Sequence, residues 1–448
     1  MPLRRAINGQ GSCRPGEHAN RRTLLSAGLG LAGGLSGGWL TPLAELLAQD
    51  EEAADRGQPA RSLIVLWMQG GPSQLETFDP HPGKNIAAGS RAISTNVPGI
   101  KISDQLPRMA TRMDQLSLVR SVVSKEGDHE RATSYVKNGF RPQPTVVYPS
   151  LGSVICHQLS DQVQIPRHIS ILSSSWPARS GFLGAQYDAF QIGDPRQPVP
   201  DVHSQVLENR STRRIDDLVN VVEQEFARGR FKQLDRQKTR HVPSIRQAIR
   251  MMSSSQLEAF DIDRVPLSVK EQFGDTPFGR GCLAATRLVE VGVRCVEVTL
   301  AGWDTHTNNH EKHGELNKVL DMAMSALFDR LREKELLQHT VVLWGGEFGR
   351  TPKVNAFEGR DHWPHGFTIG LAGGGILGGQ VIGETSPDPD LTAQDLTGNV
   401  RDYQTIAGIH ATVLHALGVD PAVTVFTPAG RPITLNEASP IRQLLASR

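Results

Sequence analysis

Asp, Glu and neutral imidazole are the side chains that hold first-row divalent ions. This chain gathers them in three short windows. The first is Asp304-Thr305-His306, with His310 and His313 behind it. Its Asp-x-His spacing lets a carboxylate and an imidazole approach one ion from a single turn. In the second, Glu347 follows Gly345-Gly346, and in the third Arg360-Asp361-His362-Trp363-Pro364-His365 sets a carboxylate beside two imidazoles. Asp304, His306, His310, Glu347, Asp361 and His362 are therefore the candidate ligands of a divalent ion, Zn²⁺, Mn²⁺ or Ca²⁺. His313 and His365 suit supporting or surface positions. Four further groups could act on a substrate. His129, in Asp128-His129-Glu130-Arg131, is a candidate nucleophile or ligand, or a locally packed helix-start His. Ser73, in a turn, is a rival nucleophile and equally an N-cap. Glu347 could serve as a general base. Arg131 or Arg350 could neutralise a tetrahedral anion, since a guanidinium matches its oxygens bidentately; the alternative for each is a structural ion pair. The run Gly373-Gly374-Gly375 with Gly378-Gly379 reads as a tight turn, because no Lys-Ser/Thr follows it and no helix opens from it.

These residues need elements that bring distant loops together. Residues 62–68 (SLIVLWM) are a continuous apolar, β-branched run of the kind found in buried parallel strands; 116–123 (LSLVRSVV) and 293–300 (VRCVEVTL) read as further strands, and 340–344 (TVVLW) as another buried one. Helical patterns follow from His129 through Lys137, at 278–291 and at about 315–337. Shorter strands are expected at 367–371 and 380–382, with a last helix at 403–417. Strands alternating with helices predict an α/β fold with a mostly parallel sheet. In such sheets ligands bind beyond the carboxyl ends of the strands. Gln69 and Ser73, Asp304 and His306, and Glu347 all follow strands at once. Residues 174–200 read as irregular, and about 200–265 as a polar helical insertion with a solvated face.

The chain has 448 residues, with 48 Lys+Arg against 47 Asp+Glu. That balance excludes a dedicated nucleic-acid binder, which needs a basic surplus or stripe. Aromatic residues are 5% of the chain, so any stacking platform must be local. Residues 1–50 carry Arg4, Arg5, Arg14 and the pair Arg21-Arg22, then a mildly apolar Gly-rich stretch at 23–40. Basic then apolar is the layout of an export signal, and Arg21-Arg22 before Thr23-Leu24-Leu25 looks like a twin-arginine signal. An uncleaved membrane anchor is the alternative. Residues 1–50 are thus expected to be signal and linker, and 60–448 one domain in the periplasm or outside the cell. Without residues 1–50, 43 basic residues face 44 acidic ones. Anion recognition therefore falls to a local pocket rather than to a charged surface.

Several segments together resemble a bacterial family of unknown function, number 1501, whose members are usually exported by the twin-arginine route. They are Leu66-Trp67-Met68-Gln69-Gly70-Gly71-Pro72-Ser73 with Thr77-Phe78-Asp79-Pro80, Gly302-Trp303-Asp304-Thr305-His306, Gly346-Glu347-Phe348-Gly349-Arg350-Thr351-Pro352, and Gly359-Arg360-Asp361-His362. That family in turn looks like part of the alkaline phosphatase/sulfatase/phosphomutase superfamily. The resemblance implies a three-layer α/β/α sandwich with a two-metal site at the strand ends. One site, Asp304 with His306 or His310 and His362, matches the superfamily pattern. The other does not: Gln69-Gly70 stands where the first-strand Asp would be, and Glu347-Phe348 replaces an Asp-His pair. Counting ten residues back from Gly139 reaches His129 rather than a Cys, so the usual sulfatase nucleophile is missing. Two functions follow as expectations. One is a metal-dependent hydrolase of phosphate or sulfate esters, with an anionic ester as substrate. The other is a catalytically degenerate binding or assembly protein on the same fold, partnered by another protein of the cell envelope.

Overall fold

The computed structural model describes residues 59–159, 163–173, 175–199, 251, 254–392 and 396–446. The export signal and most of the helical insertion expected at 200–265 lie outside the described residues. Among the described residues nine strands form the main sheet: β1 Ser62–Gln69, β2 Leu116–Val123, β3 His168–Ile171, β4 Phe190–Ile192, β5 Cys295–Ala301, β6 Thr340–Gly345, β7 Phe367–Gly373, β8 Val381–Ile382 and β9 Gln404–Thr405. Their order is β8-β2-β7-β6-β1-β5-β3-β4, with β9 also paired to β2. Only β7 runs antiparallel to its neighbours, β2 and β6. The carboxyl ends of β1, β2, β5 and β6 therefore share an edge with the amino end of β7.

Among the described residues, the helices of eight or more residues are α1 His129–Asn138, α2 Leu151–Gln158, α3 Pro277–Glu290, α4 Asn309–Glu333 and α5 Ile406–Ala416. Alternation along β1 shows how they are layered. Ile64, Leu66 and Met68 join one apolar core with Phe278, Leu283 and Leu288 of α3 and Leu320, Met324 and Leu327 of α4. Leu63 and Trp67 join a second core with Val154 and Ile155 of α2 and Ile409 and Val413 of α5. A sheet with an apolar core on each face is the middle of a three-layer α/β/α sandwich. No helix among the described residues is long and apolar enough to cross a membrane.

The largest departure from the sequence reading is α4, which starts at Asn309 rather than near 315. His310 and His313 are therefore helical rather than in a loop. The early turns bury polar residues four apart, Asn309, His313 and Asn317. A helix face lined with amides and imidazole leaves no hydrophobic period to read. The strand β4 lies inside the stretch expected to be irregular.

Candidate metal centre

Each connection at this edge has a local reason for its path. Beyond β1 the chain turns through Gly70 and Gly71, both with positive φ (115° and 81°). A Cβ at Gly70 would overlap the backbone of Trp303 and Asp304. Glycine there lets the loop after β5 lie against the end of β1. Beyond β2 the chain runs through Glu126 and Gly127 into α1, whose N-cap is the Asp128 side chain, accepting from the Arg131 N–H. His129 is the first residue of that helix. The segment between β6 and β7 folds back as a short antiparallel pair, Gly349–Arg350 against His362–Trp363.

Arg350 ties these segments together. It is fully buried. Its guanidinium donates to the carbonyls of Gly70, Gly71 (2.9 Å) and Arg360 (3.1 Å) and to Asp304 Oδ1 (2.7 Å). With four donors spent on three backbone carbonyls and one carboxylate, it organises the site and is not open to a substrate. Burial disfavours ionised Asp304, but the Arg350 hydrogen bond and charge, with His129 and His306, outweigh it and hold its pKa at about 2.

Asp304 is the hub of three imidazoles. His306 Nδ1 lies 2.9 Å from Asp361 Oδ1, and His362 Nδ1 lies 2.8 Å from the Gly127 carbonyl. The His306 hydrogen bond also holds the Asp361 carboxyl below its ordinary pKa. A carboxylate and a carbonyl only accept, so each Nδ1 carries a proton, and in its neutral form each ring presents a bare Nε2. These two Nε2 atoms are 3.0 Å apart. Asp304 Oδ1 lies 3.1 Å from that of His306 and 3.3 Å from that of His362. Three lone pairs converging this closely repel one another unless a proton or a cation lies between them. Ligand atoms about 2.0–2.1 Å from a tetrahedral Zn²⁺ stand roughly 3.3 Å apart. The donor set therefore fits a divalent ion. Burial lowers the pKa of His362, which keeps its ring neutral.

His129 meets the other Asp304 oxygen. Its Nε2 is 3.3 Å from Oδ2, and its Nδ1 is 2.7 Å from Glu347 Oε1, which also accepts from Gly70 N–H at 2.9 Å. The Glu347 hydrogen bond raises the His129 pKa; burial opposes this, and the Glu347 and Asp304 charges add to it. Glu347 is fully buried, and its Oε2 and His129 Nε2 both lack a hydrogen-bond partner. One donor atom from each of His129, Asp304 and His362 falls within 4.8 Å of the others. Phe348 is fully buried and packs on His362 (centroids 4.4 Å) and His129 (4.9 Å).

Asp304, His306, His362, His129, Glu347 and Asp361 are thus brought together, with Glu347 touching His129 and Asp361 touching His306. Three other candidates stand elsewhere. His310 is exposed on the first turn of α4 and makes none of these contacts. The Ser73 hydroxyl donates to Glu76, and its N–H donates to His313 Nε2 at 2.8 Å. Arg131 pairs with Glu126 at 2.8 Å on the exposed side of α1. Two contributors escaped the sequence reading. Glu76 holds Arg360 through a buried ion pair (2.9 Å), one residue before Asp361. Trp176 lies parallel to the His129 ring. The only sequence signal for Trp176 was a large aromatic residue within an irregular stretch.

Residues 60–445 match the family described as "Protein of unknown function (DUF1501)". The chain belongs to this family. No curated protein matches it significantly. Several solved structures resemble it distantly. A sulfatase from Pseudoalteromonas sp. is 14% identical, with 83% of this chain and 70% of that one covered and a TM-score of 0.37. A lipoteichoic acid synthase from Listeria monocytogenes is 9% identical, with 87% and 80% covered and a TM-score of 0.38. A protein in the alkaline phosphatase superfamily from Vibrio parahaemolyticus is 11% identical, with 81% and 67% covered and a TM-score of 0.36. None of these likenesses carries an activity over to this chain.

Proposed function

We propose that this protein is an exported, divalent-metal-dependent hydrolase of phosphate or sulfate esters. The reading rests on one observation: Asp304 Oδ1, His306 Nε2 and His362 Nε2 converge at 3.0–3.3 Å with both Nδ1 protons already engaged. The motif resemblance supplies the ester class, since Asp304, His306 and His362 occupy ligand positions in the superfamily pattern. The Arg21-Arg22 motif supports export.

In this reading Asp304, His306 and His362 hold the ion. Asp361 and the Gly127 carbonyl fix the two rings, and Arg350 keeps Asp304 ionised. A divalent ion held there supplies Lewis-acid polarisation of an ester oxygen and acidifies water. His129 moves a proton. Glu347 fixes its Nδ1 and raises its affinity for a proton at Nε2, the atom beside Asp304, where it serves the leaving oxygen.

One observation favours the second reading, a binding or assembly protein on the same fold. The hydrogen bonds and ion pairs of His129, Asp304, His306 and His362 reach no hydroxyl or thiol among the described residues. In the hydrolase reading we assign water as the nucleophile.

Metal analysis of the purified full chain with Asp304→Ala as control, followed by a screen with p-nitrophenyl phosphate and sulfate, separates the readings. Bound metal that the substitution abolishes, with turnover of one ester, supports the hydrolase. Metal content unchanged by the substitution refutes the site. Bound metal without turnover of either ester moves the weight to the binding protein.

A further inference from the structure

We infer that Gln74 is a positioning residue of the metal centre: its amide fixes Arg350, and through Arg350 both Asp304 and the strand that carries His362. The inference rests on the proposed metal site and names the device that sets its spacing. Residues of an antiparallel pair alternate between bonding across to the partner strand and turning their N–H and C=O outward. In the pair Gly349–Arg350 against His362–Trp363, Arg350 stands opposite His362. The next residue, Thr351, bonds across, its N–H donating to the Asp361 carbonyl at 2.9 Å. The N–H and C=O of Arg350 therefore point away from His362. Two strands alone would leave both groups buried and unbonded, which is costly.

Gln74 meets both. Its Oε1 accepts from the Arg350 N–H at 2.9 Å, and its Nε2 donates to the Arg350 carbonyl at 2.9 Å. The side-chain amide takes the place of a third strand. Both residues are buried, and a Cβ at Gly349 would collide with Gln74 Oε1, so the amide is seated without slack. Held at its backbone, Arg350 reaches Asp304 Oδ1 at 2.7 Å and the carbonyls of Gly70 and Gly71. A shift of residue 350 moves Asp304 through that hydrogen bond and His362 through the strand pair. The 3.3 Å separation of Asp304 Oδ1 from His362 Nε2 changes with it. Among side chains of this length only an amide offers a donor and an acceptor together. An ionised Glu only accepts, and Met has no donor and only a weak acceptor.

The test is Zn²⁺ binding to the full chain, read by competition with a chromophoric chelator. The visible spectrum of the Co²⁺-loaded protein and urea unfolding of the metal-free protein accompany it. Gln74→Met keeps the length and removes both hydrogen bonds; Gln74→Glu keeps the acceptor. Asn436→Leu is the control. The buried Asn436 amide likewise bridges two backbone groups, the Ala407 carbonyl and the Ala438 N–H, neither of them at the centre. Gln74→Met should weaken Zn²⁺ binding about tenfold, the low end for a support beyond the ligands, and shift the Co²⁺ bands. Gln74→Glu should do the same to a lesser extent, and Asn436→Leu should lower stability alone. If Gln74→Met does not fold, Gln74→Glu decides. Zn²⁺ affinity within about twofold of wild type, with an unchanged Co²⁺ spectrum, in the folded Gln74 variants would overturn the inference while leaving the metal site intact. Equal changes in Asn436→Leu would overturn it too. Wild type that binds neither ion would overturn the metal-site reading and this inference with it.

Discussion

Asp361→Asn isolates the support given to a ligand from the ligand itself. Asp361 accepts from His306 Nδ1 at 2.9 Å, and its side chain is 59% exposed. The amide oxygen of Asn can still accept that proton, so the His306 tautomer is kept. What disappears is the negative charge that raises the basicity of the ring. Loss of such an outer carboxylate typically lowers metal affinity about 10- to 100-fold. Solvent screening at this exposure points to the low end, about tenfold, or about 1.4 kcal/mol. Folding stability should barely move, because a surface substitution away from core or cap features usually stays within about 0.5 kcal/mol. Zn²⁺ affinity is read by competition with a chromophoric chelator. Stability of the metal-free protein is read by urea unfolding. An affinity within twofold of wild type would refute the ligand assignment of His306. Equal losses of affinity and metal-free stability would show that Asp361 only braces the loop.

Two further outcomes follow from the same geometry. His129 has a raised pKa in the folded, metal-free protein. Its contribution to stability is therefore fully present below its unfolded pKa of about 6.5 and is lost as pH rises through the higher folded value. His129→Gln should accordingly destabilise the metal-free protein most at mildly acidic pH and progressively less in alkaline buffer; a pH-independent difference in urea midpoint would contradict this. Gly70→Ala should cost about 1–3 kcal/mol by thermal unfolding, since the position has φ +115° and a Cβ would meet the Trp303–Asp304 backbone. A wild-type Tm for that variant would show that the two loops can part without penalty.

The sheet was legible because β1 and β6 read as nearly unbroken apolar runs, while β2 and β5 keep enough buried apolar residues around Arg120 and Glu297 to stand out as strands. Asp304 and His306 were legible as candidates because polar residues directly after such strands fall at the edge where parallel strands converge, and His362 because it stands beside Asp361 in a second polar cluster. What stayed hidden depends on distance in the chain or on polar packing. Nothing near His129 announces that Glu347, 218 residues away, fixes its ring. The first turns of α4 were invisible to periodicity because they bury Asn309, His313 and Asn317. β3 has only four residues, including His168, too short a run to stand out. The roles of Arg350, Ser73 and Arg131 were undecidable from type alone. The same guanidinium that could grip an anion is spent at Arg350 on three carbonyls, and the Ser73 hydroxyl is turned toward Glu76.

The reversed direction of β7 has a consequence for how this chemistry can be altered. Because β6 arrives at the edge and β7 departs from it, residues 346–366 leave and re-enter the sheet on the same side. That one stretch carries Glu347, Phe348, Arg350, Arg360, Asp361 and His362. It behaves as a cassette: exchanging it whole would replace the support of His129, the support of His306 and one ligand in a single graft, while leaving every strand register unchanged. Asp304 and His306, beyond β5, and His129, at the start of α1 beyond β2, are the chassis into which such cassettes would plug.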